Sequence, residues 1–210
     1  YNFNVTSLVH ELSNQAKKMA IEHEIIIIDD CSPNFKSVNK SSCTQYKYIE
    51  LSKNIGRAKI RNLFLEHAQF EYLLFLDCDA VIGNSDFLSN YISVLDEFTN
   101  VVCGGRVYDE KTPLRNRMLS WKYGVHRESQ PLHIRLKTPN KSFMTNNFLI
   151  NKKLFKTIKF DERITEYGHE DTLFGFALKK KNITINHIDN PVINGDIEFN
   201  DVYLTKTKEA

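Results

Sequence analysis

Apolar positions recur along this chain in two rhythms. Val5, Leu8, Val9, Leu12, Ala16 and Met19 stand three or four residues apart, which predicts an amphipathic helix near the start. EIIIIDD (24–30) is a continuous β-branched run, the mark of a strand buried on both faces. YKYIEL (46–51) predicts a second strand, and 57–69 a helix with Ile60, Leu63, Phe64 and His67 in one stripe. EYLLFLD (71–77) follows as a third strand, 86–97 as a helix through Phe87, Tyr91, Ile92 and Leu95, and VVCGGRVY (101–108) as another strand. Strands alternating with helices imply right-handed βαβ units, hence an α/β fold with a mostly parallel central sheet flanked by helices. A strand should precede the first helix, yet the chain opens on YNFN, so the sequence is expected to be a fragment that lacks its first strand.

After residue 110 the rhythm breaks. Residues 111–142 carry eight Lys/Arg, two His, three Pro and the only Trp without clear periodicity, and a long irregular stretch of this kind is expected to be functional or mobile. FMTNNFLI (143–150) resumes as a strand, 170–181 as a helix with Leu173, Phe174, Ala177 and Leu178 on one face, and ITINHI (183–188) as a last strand. At 210 residues the chain suits one domain. Its halves read as 1–109 and 110–210.

Composition narrows the function by exclusion. A net charge of only +2 supplies no field for nucleic acid or an anionic membrane. No apolar run approaches the ~18–20 residues that span a bilayer. The four cysteines lack C-x-x-C spacing, which argues against a zinc knuckle or redox pair; free thiols in a reducing compartment are expected, with Cys78 a small buried filler. With no signal peptide visible, the expected location is the cytoplasm, including the cytoplasmic face of a membrane.

The chemistry gathers at strand ends, where ligands of open α/β sheets bind. Asp29 and Asp30 follow one apolar run; Asp77 and Asp79 follow another. Paired carboxylates at short spacing suit a hard divalent cation that shares ligands with a phosphate, although acids after strands also form turns and caps. NIGRAKIRN (54–62) places Gly56 at a strand-to-helix turn, followed by Arg57, Lys59 and Arg61, a setting that can receive an anion. EYGHED (166–171) opens the helix at 170. Consecutive helical residues point about 100° apart, so only one of Glu170 and Asp171 can face a given ligand.

In this order, YN (1–2), IIIIDDCS (25–32), NIGRAKIRN (54–62), LFLDCD (74–79) and TNNFLINK through GHED (145–171) resemble a family 2 glycosyltransferase of the nucleotide-diphospho-sugar transferase (GT-A) fold. The resemblance covers nearly the whole chain, and its YN follows a first strand in that family. It implies that Asp29 or Asp30, with Asp30 preferred, meets the base or ribose, and that Asn54, Gly56, Arg57 and Arg61 line the nucleotide site. Asp77 and Asp79 would be the D-x-D that holds Mn²⁺ or Mg²⁺ on the donor diphosphate. Asp171, beside Glu170, would take the proton from the acceptor hydroxyl, with inversion at the anomeric carbon. Related sequences carry a metal-binding His where NPVINGDIE (190–198) has Asn194, one residue closer to its glycine. Asn194 or Asp196 could stand in as an oxygen ligand, while His187 is expected to pack at a strand end. Trp121, Tyr123, Arg127, Asn146 and His169 would serve the acceptor or a lid.

The implied substrates are a nucleoside-diphosphate sugar, UDP-linked by preference, and a glycan or lipid-linked acceptor in polysaccharide synthesis. Two other readings compete. LFLDCDAV also fits the nucleophile motif of haloacid-dehalogenase-like phosphatases, with Asp77 as nucleophile, but that motif belongs on a first strand and leaves the other acid groups unused. A binding module that keeps the nucleotide pocket without transfer is the third.

Overall fold

A computed structural model describes residues 1–164 and 168–209. The first helix, α1 (Thr6–Met19), is the one the opening periodicity predicts. β1 (Ile26–Asp29) and β2 (Lys47–Glu50) pair in parallel around α2 (Lys36–Ser42). α3 (Arg57–His67) then leads to β3 (Tyr72–Leu76) and the short β4 (Ala80–Val81), which lie on either side of the acids at 77 and 79.

The helix expected over 86–97 is shorter: α4 covers Phe87–Ile92. Beyond it the chain turns tightly over 94–99, where the Thr99 hydroxyl bonds Val94 O at 3.1 Å and Asp96 Oδ1 at 2.6 Å and accepts the Asp96 N–H, local side-chain bonds that compete with another helical turn. The strand expected over 101–108 is two strands in different sheets, β5 (Val101–Cys103) and β6 (Arg106–Val107). The break lies at Gly104–Gly105. A Cβ on Gly104 would stand 2.4 Å from the Asn190 carbonyl oxygen, and Gly105 has φ +92°.

The segment expected to be irregular is a series of short turns. A 3₁₀ turn (Arg115–Arg117), α5 (Met118–Tyr123), a wide π turn (Gly124–Glu128) and α6 (Leu132–Arg135) follow one another. Each is too brief to repeat an apolar stripe, so periodicity could not reveal them. Arg135 anchors the segment. Its buried guanidinium donates to the carbonyls of Cys103, Gly104, Gln130 and Ile188.

β7 (Asn147–Asn151) starts later than the 143–150 run suggested and leads directly into α7 (Lys152–Thr157). α8 (Glu170–Lys180), β8 (Asn186–His187), β9 (Val192–Asn194) and α9 (Asn200–Glu209) complete the order. The central sheet runs β3-β7-β5-β8. β3, β5 and β8 share one direction, and β7 alone runs against them, antiparallel to both neighbours. A small sheet, β4-β9-β6, sits over the strand tips.

One aromatic core backs the site. Phe75 stacks on Phe148 at 4.9 Å and Phe160 on Phe174 at 4.2 Å, with Phe155 edge-on to Phe75. This cluster fastens β3, β7 and α8 to one another, and it therefore holds the acids at the end of β3 against the start of α8. Among the described residues no helix is long and apolar enough to cross a membrane.

Candidate active site

The site begins where β3 stops. The Asp77 N–H donates to the Asn146 carbonyl at 3.1 Å, continuing the β3–β7 ladder by one bond, and Ala80 N–H donates back to Asp77 O at 3.0 Å. That tight turn separates the two carboxylates. Cys78 between them is partly rather than fully buried, and packs against the cluster of Val5, Val9 and Cys43. All four cysteines are free thiols. Gly195 comes so close that its N–H donates to Asp79 O at 2.9 Å, and a Cβ there would lie 2.3 Å from the same oxygen. With Ala80 registered against Asn194, this fixes the end of β9 beside Asp79.

Asp77 faces Arg61. The guanidinium of this buried arginine bridges two acids, with Nη2 3.2 Å from Asp77 Oδ1 and Nη1 3.2 Å from Glu170 Oε1. Burial would raise the Asp77 pKa, but Arg61, with Arg57 and Arg106 nearby, outweighs it and holds the carboxyl below its usual range. Arg61 is therefore a strut between β3 and α8. Glu170 is spent likewise: it is 5% exposed and also has Arg57 at 3.6 Å. Asp171 turns elsewhere, as the 100° step requires. Burial, followed by the Glu170 charge, raises its pKa. Its Oδ1 accepts the N–H of Thr172. His169 caps this helix with φ +64° and is exposed; Glu166 and Tyr167 lie outside the described residues.

Asp29 and Asp30 are more occupied than the sequence suggests. Asp29 accepts from Ser32 N–H and the Tyr48 hydroxyl; Asp30 accepts from the N–H groups of Ile55 and Gly56. Asn54 supports the same turn, bonding the Asp30 carbonyl and the Gly56 N–H. These residues hold the chain that enters α3, where Gly56 takes φ +83° and ψ 167°. Arg57, the first residue of α3, stays half exposed.

On the other flank, Trp121 donates its indole N–H to Asp109 O at 2.9 Å, Tyr123 lies 5.9 Å from the Tyr203 ring, and Arg127 is exposed. His187 packs at a strand end as expected. Its Nδ1 accepts from Arg135 and its Nε2 donates to Pro139 O at 2.8 Å, which identifies the neutral tautomer with the proton on Nε2. Asn146 is buried with neither side-chain atom paired.

Sequence reasoning missed Arg106, Tyr108 and Glu128. Arg106 Nη1 meets Glu128 Oε2 at 3.0 Å, Nη2 donates to Asn194 Oδ1 and lies 3.9 Å from Asp79 Oδ2, and the Tyr108 hydroxyl also donates to Glu128. A basic residue directly after C-G-G was the only signal, and nothing in the sequence linked it to Asn194. Burial and Asp77 together raise the Asp79 pKa, against the opposing pull of Arg106. Among the described residues, no three His, Cys, Asp or Glu come close enough together to hold a metal ion.

A mixed sheet with one reversed strand, acids at its tip and a facing acidic helix start define the GT-A class of nucleotide-diphospho-sugar transferases, and solved structures agree on the fold. The chain matches a mannosyltransferase from Pyrobaculum calidifontis in complex with GDP-Man and Mn²⁺ (TM-score 0.62, 15% identity, 92% of this chain and 54% of that one). It also matches S. aureus TarS 1-349 in complex with UDP-GlcNAc (0.63, 20%, 94% and 58%) and Mycobacterium tuberculosis glucosyl-3-phosphoglycerate synthase with Mn²⁺, UDP and phosphoglyceric acid (0.62, 14%, 98% and 72%). The sequence matches the family model described as Glycosyl transferase family 2 over residues 3–159, and the chain belongs to that family. A curated relative, the Escherichia coli chondroitin synthase, is 26% identical across 83% of this chain; the match spans 32% of that relative's length.

Proposed function

We propose that this chain is the catalytic unit of an inverting glycosyltransferase that moves a sugar from a nucleoside-diphosphate donor, UDP-linked by preference, to a hydroxyl of a glycan or lipid-linked acceptor. The observation that carries this reading is the Asp77–Arg61–Glu170 bridge. It ties the donor-side acids to the start of α8, one residue from Asp171.

On this reading the nucleoside lies against the wall built by Asp29, Asp30, Asn54 and Gly56, with residues 1–109 forming most of the donor half and 110–210 the acceptor half. The carboxylates of Asp77 and Asp79 fit a Mn²⁺ or Mg²⁺ ion, which commonly takes one or two carboxylates and completes its shell with phosphate oxygens and water. Bound there, such an ion would neutralise charge on the departing diphosphate. Asp171 accepts the acceptor hydroxyl's proton as that oxygen attacks the anomeric carbon from the face opposite the diphosphate, so the anomeric configuration inverts. Its raised pKa favours this task, since a stronger base takes the proton further in the transition state. Glu170 and Arg61 position Asp171 rather than touch substrate. Exposed Tyr123 and Arg127, with half-buried Trp121, present an aromatic and basic face to the acceptor, and Asn146 and His169 border it.

The test pairs nucleotide binding with transfer. UDP, GDP, CDP and dTDP are compared by thermal shift with Mn²⁺, Mg²⁺ or EDTA, and donor sugars of the stabilising base are then assayed for transfer to glycan acceptors. One nucleoside diphosphate should stabilise the fold, and Asp171→Asn should keep that binding while losing transfer. Binding without transfer to any acceptor would favour the binding module, and a covalent phosphoenzyme on Asp77 would favour the phosphatase.

A further inference from the structure

We propose that Arg106 is a built-in cation of the donor site, taking up the diphosphate charge at the position where a third protein ligand to the metal would otherwise stand. The inference rests on the glycosyltransferase reading and deepens it by naming how the diphosphate is recognised.

The position is set by the backbone. Arg106 lies on β6, which pairs in parallel with β9 in the register Arg106↔Val192 and Val107↔Ile193. Its side chain reaches along β9 to Asn194, whose Oδ1 accepts from Nη2. Asn194 cannot be turned to free that oxygen without loss. Its Nδ2 donates to the Asp196 carbonyl, and a flipped amide would face the guanidinium donor to donor. The one atom of Asn194 suited to a hard metal is therefore engaged by a positive charge.

That charge is held in place. Glu128 pairs with Nη1 at 3.0 Å, and the Tyr108 ring lies 5.5 Å from the guanidinium carbon. The ring is pressed against Gly124, where a Cβ would come 2.2 Å from it. The guanidinium is thus mostly buried and ordered before any ligand arrives, which lowers the entropic cost of using it. It lies 3.9 Å from Asp79 Oδ2, close enough to act on anything that carboxylate helps to bind, and its Nε is buried without a partner. A guanidinium offers planar, forked donors that suit phosphate oxygens. A dication held by both Asp79 and Asn194 would sit against this fixed positive charge and be repelled by it. The arrangement favours a donor site in which arginine carries part of the work usually left to the metal.

The experiment measures binding, not turnover. UDP, GDP, CDP and dTDP are titrated calorimetrically into the full chain with Mn²⁺ and with EDTA, and free Mn²⁺ binding is followed by electron paramagnetic resonance. Wild type should bind its preferred nucleoside diphosphate with less than about a tenfold change on removing metal, and should bind Mn²⁺ weakly without nucleotide. Arg106→Met should lose about tenfold or more in EDTA and become strongly metal-dependent, while Arg106→Lys, which keeps the charge without the fork, should fall between. Because Arg106→Met takes away the ion-pair partner of Glu128, the double variant Arg106→Met/Glu128→Gln, checked by circular dichroism, repeats the measurement in a fold relieved of that charge. Wild-type affinity that collapses in EDTA, with Arg106 variants binding as wild type does, overturns the proposal while leaving the glycosyltransferase reading intact. Failure of every nucleotide to bind a folded wild type, with or without metal, defeats both.

Discussion

Replacing Arg61 with Met tests the strut between the two sides of the site. The substitution keeps much of the aliphatic stem, which runs beside the Phe160 ring with the guanidinium carbon 5.6 Å from its centroid, and removes the charge that joins Asp77 to Glu170. Breaking a buried pair from one side typically costs about 3–5 kcal/mol, because the partner is left charged and desolvated. Asp77 keeps more access to water than Glu170, and Arg57 stands 3.6 Å from the same Glu170 oxygen, so the lower end of that range applies. In a domain of this size each kcal/mol moves Tm by about 2–4 °C, so the variant should melt about 6–12 °C lower. The assay is thermal melting with a urea titration as the second measure. A double variant, Arg61→Met/Glu170→Met, should recover about 0.5–3 kcal/mol relative to the sum of the single changes, since it removes the stranded carboxylate. A Tm within about 2 °C of wild type, or strict additivity in the pair, would refute the strut.

The remaining predictions address single features. Asp171→Asn should lower the rate of sugar transfer by about 10²–10⁴-fold with little change in nucleotide affinity, measured by donor turnover and calorimetry. Because burial raises the Asp171 pKa, the acidic limb of kcat/KM in wild type should lie above the ordinary carboxylate range, activity falling as pH drops through it and protonates the base. Gly56→Ala should cost about 1–3 kcal/mol in urea unfolding through backbone strain alone, since no atom lies within 4 Å of the added Cβ and φ is +83°. His187 has its pKa lowered by burial and by the neighbouring Arg135. The unfolded chain therefore takes up its proton first, so the stability tied to neutral His187 is complete above the ordinary histidine pKa of about 6.5 and is lost as pH falls toward the folded value. Urea midpoints at pH 7.5 and 5.5 should differ less in His187→Gln than in wild type.

Local pattern carried much of this protein. The period of α1, the β-branched run of β1 and the apolar strand ending at Asp77 were legible because burial imposes a rhythm that short-range sequence must obey. The acids at 77, 79, 170 and 171 could be picked out because a carboxylate at the tip of a core strand or the start of a helix is conspicuous against its neighbours. Their division of labour was not legible. Glu170 and Asp171 stand side by side in sequence, yet Arg61, 109 residues away from the first, draws one into a buried bridge and leaves the other outside it. Asp29 and Asp30 looked like free ligands until the turns at 32 and 55–56 used their oxygens. The split of 101–108 into two sheets depends on Asn147 and Asn190 closing over Gly104, and the meeting of Arg106 with Asn194 spans 88 residues. Such pairings follow from the register of strands distant along the chain. A hydrogen bond between side chains leaves no period in either segment, so its partners come together only when the sheet has been assembled.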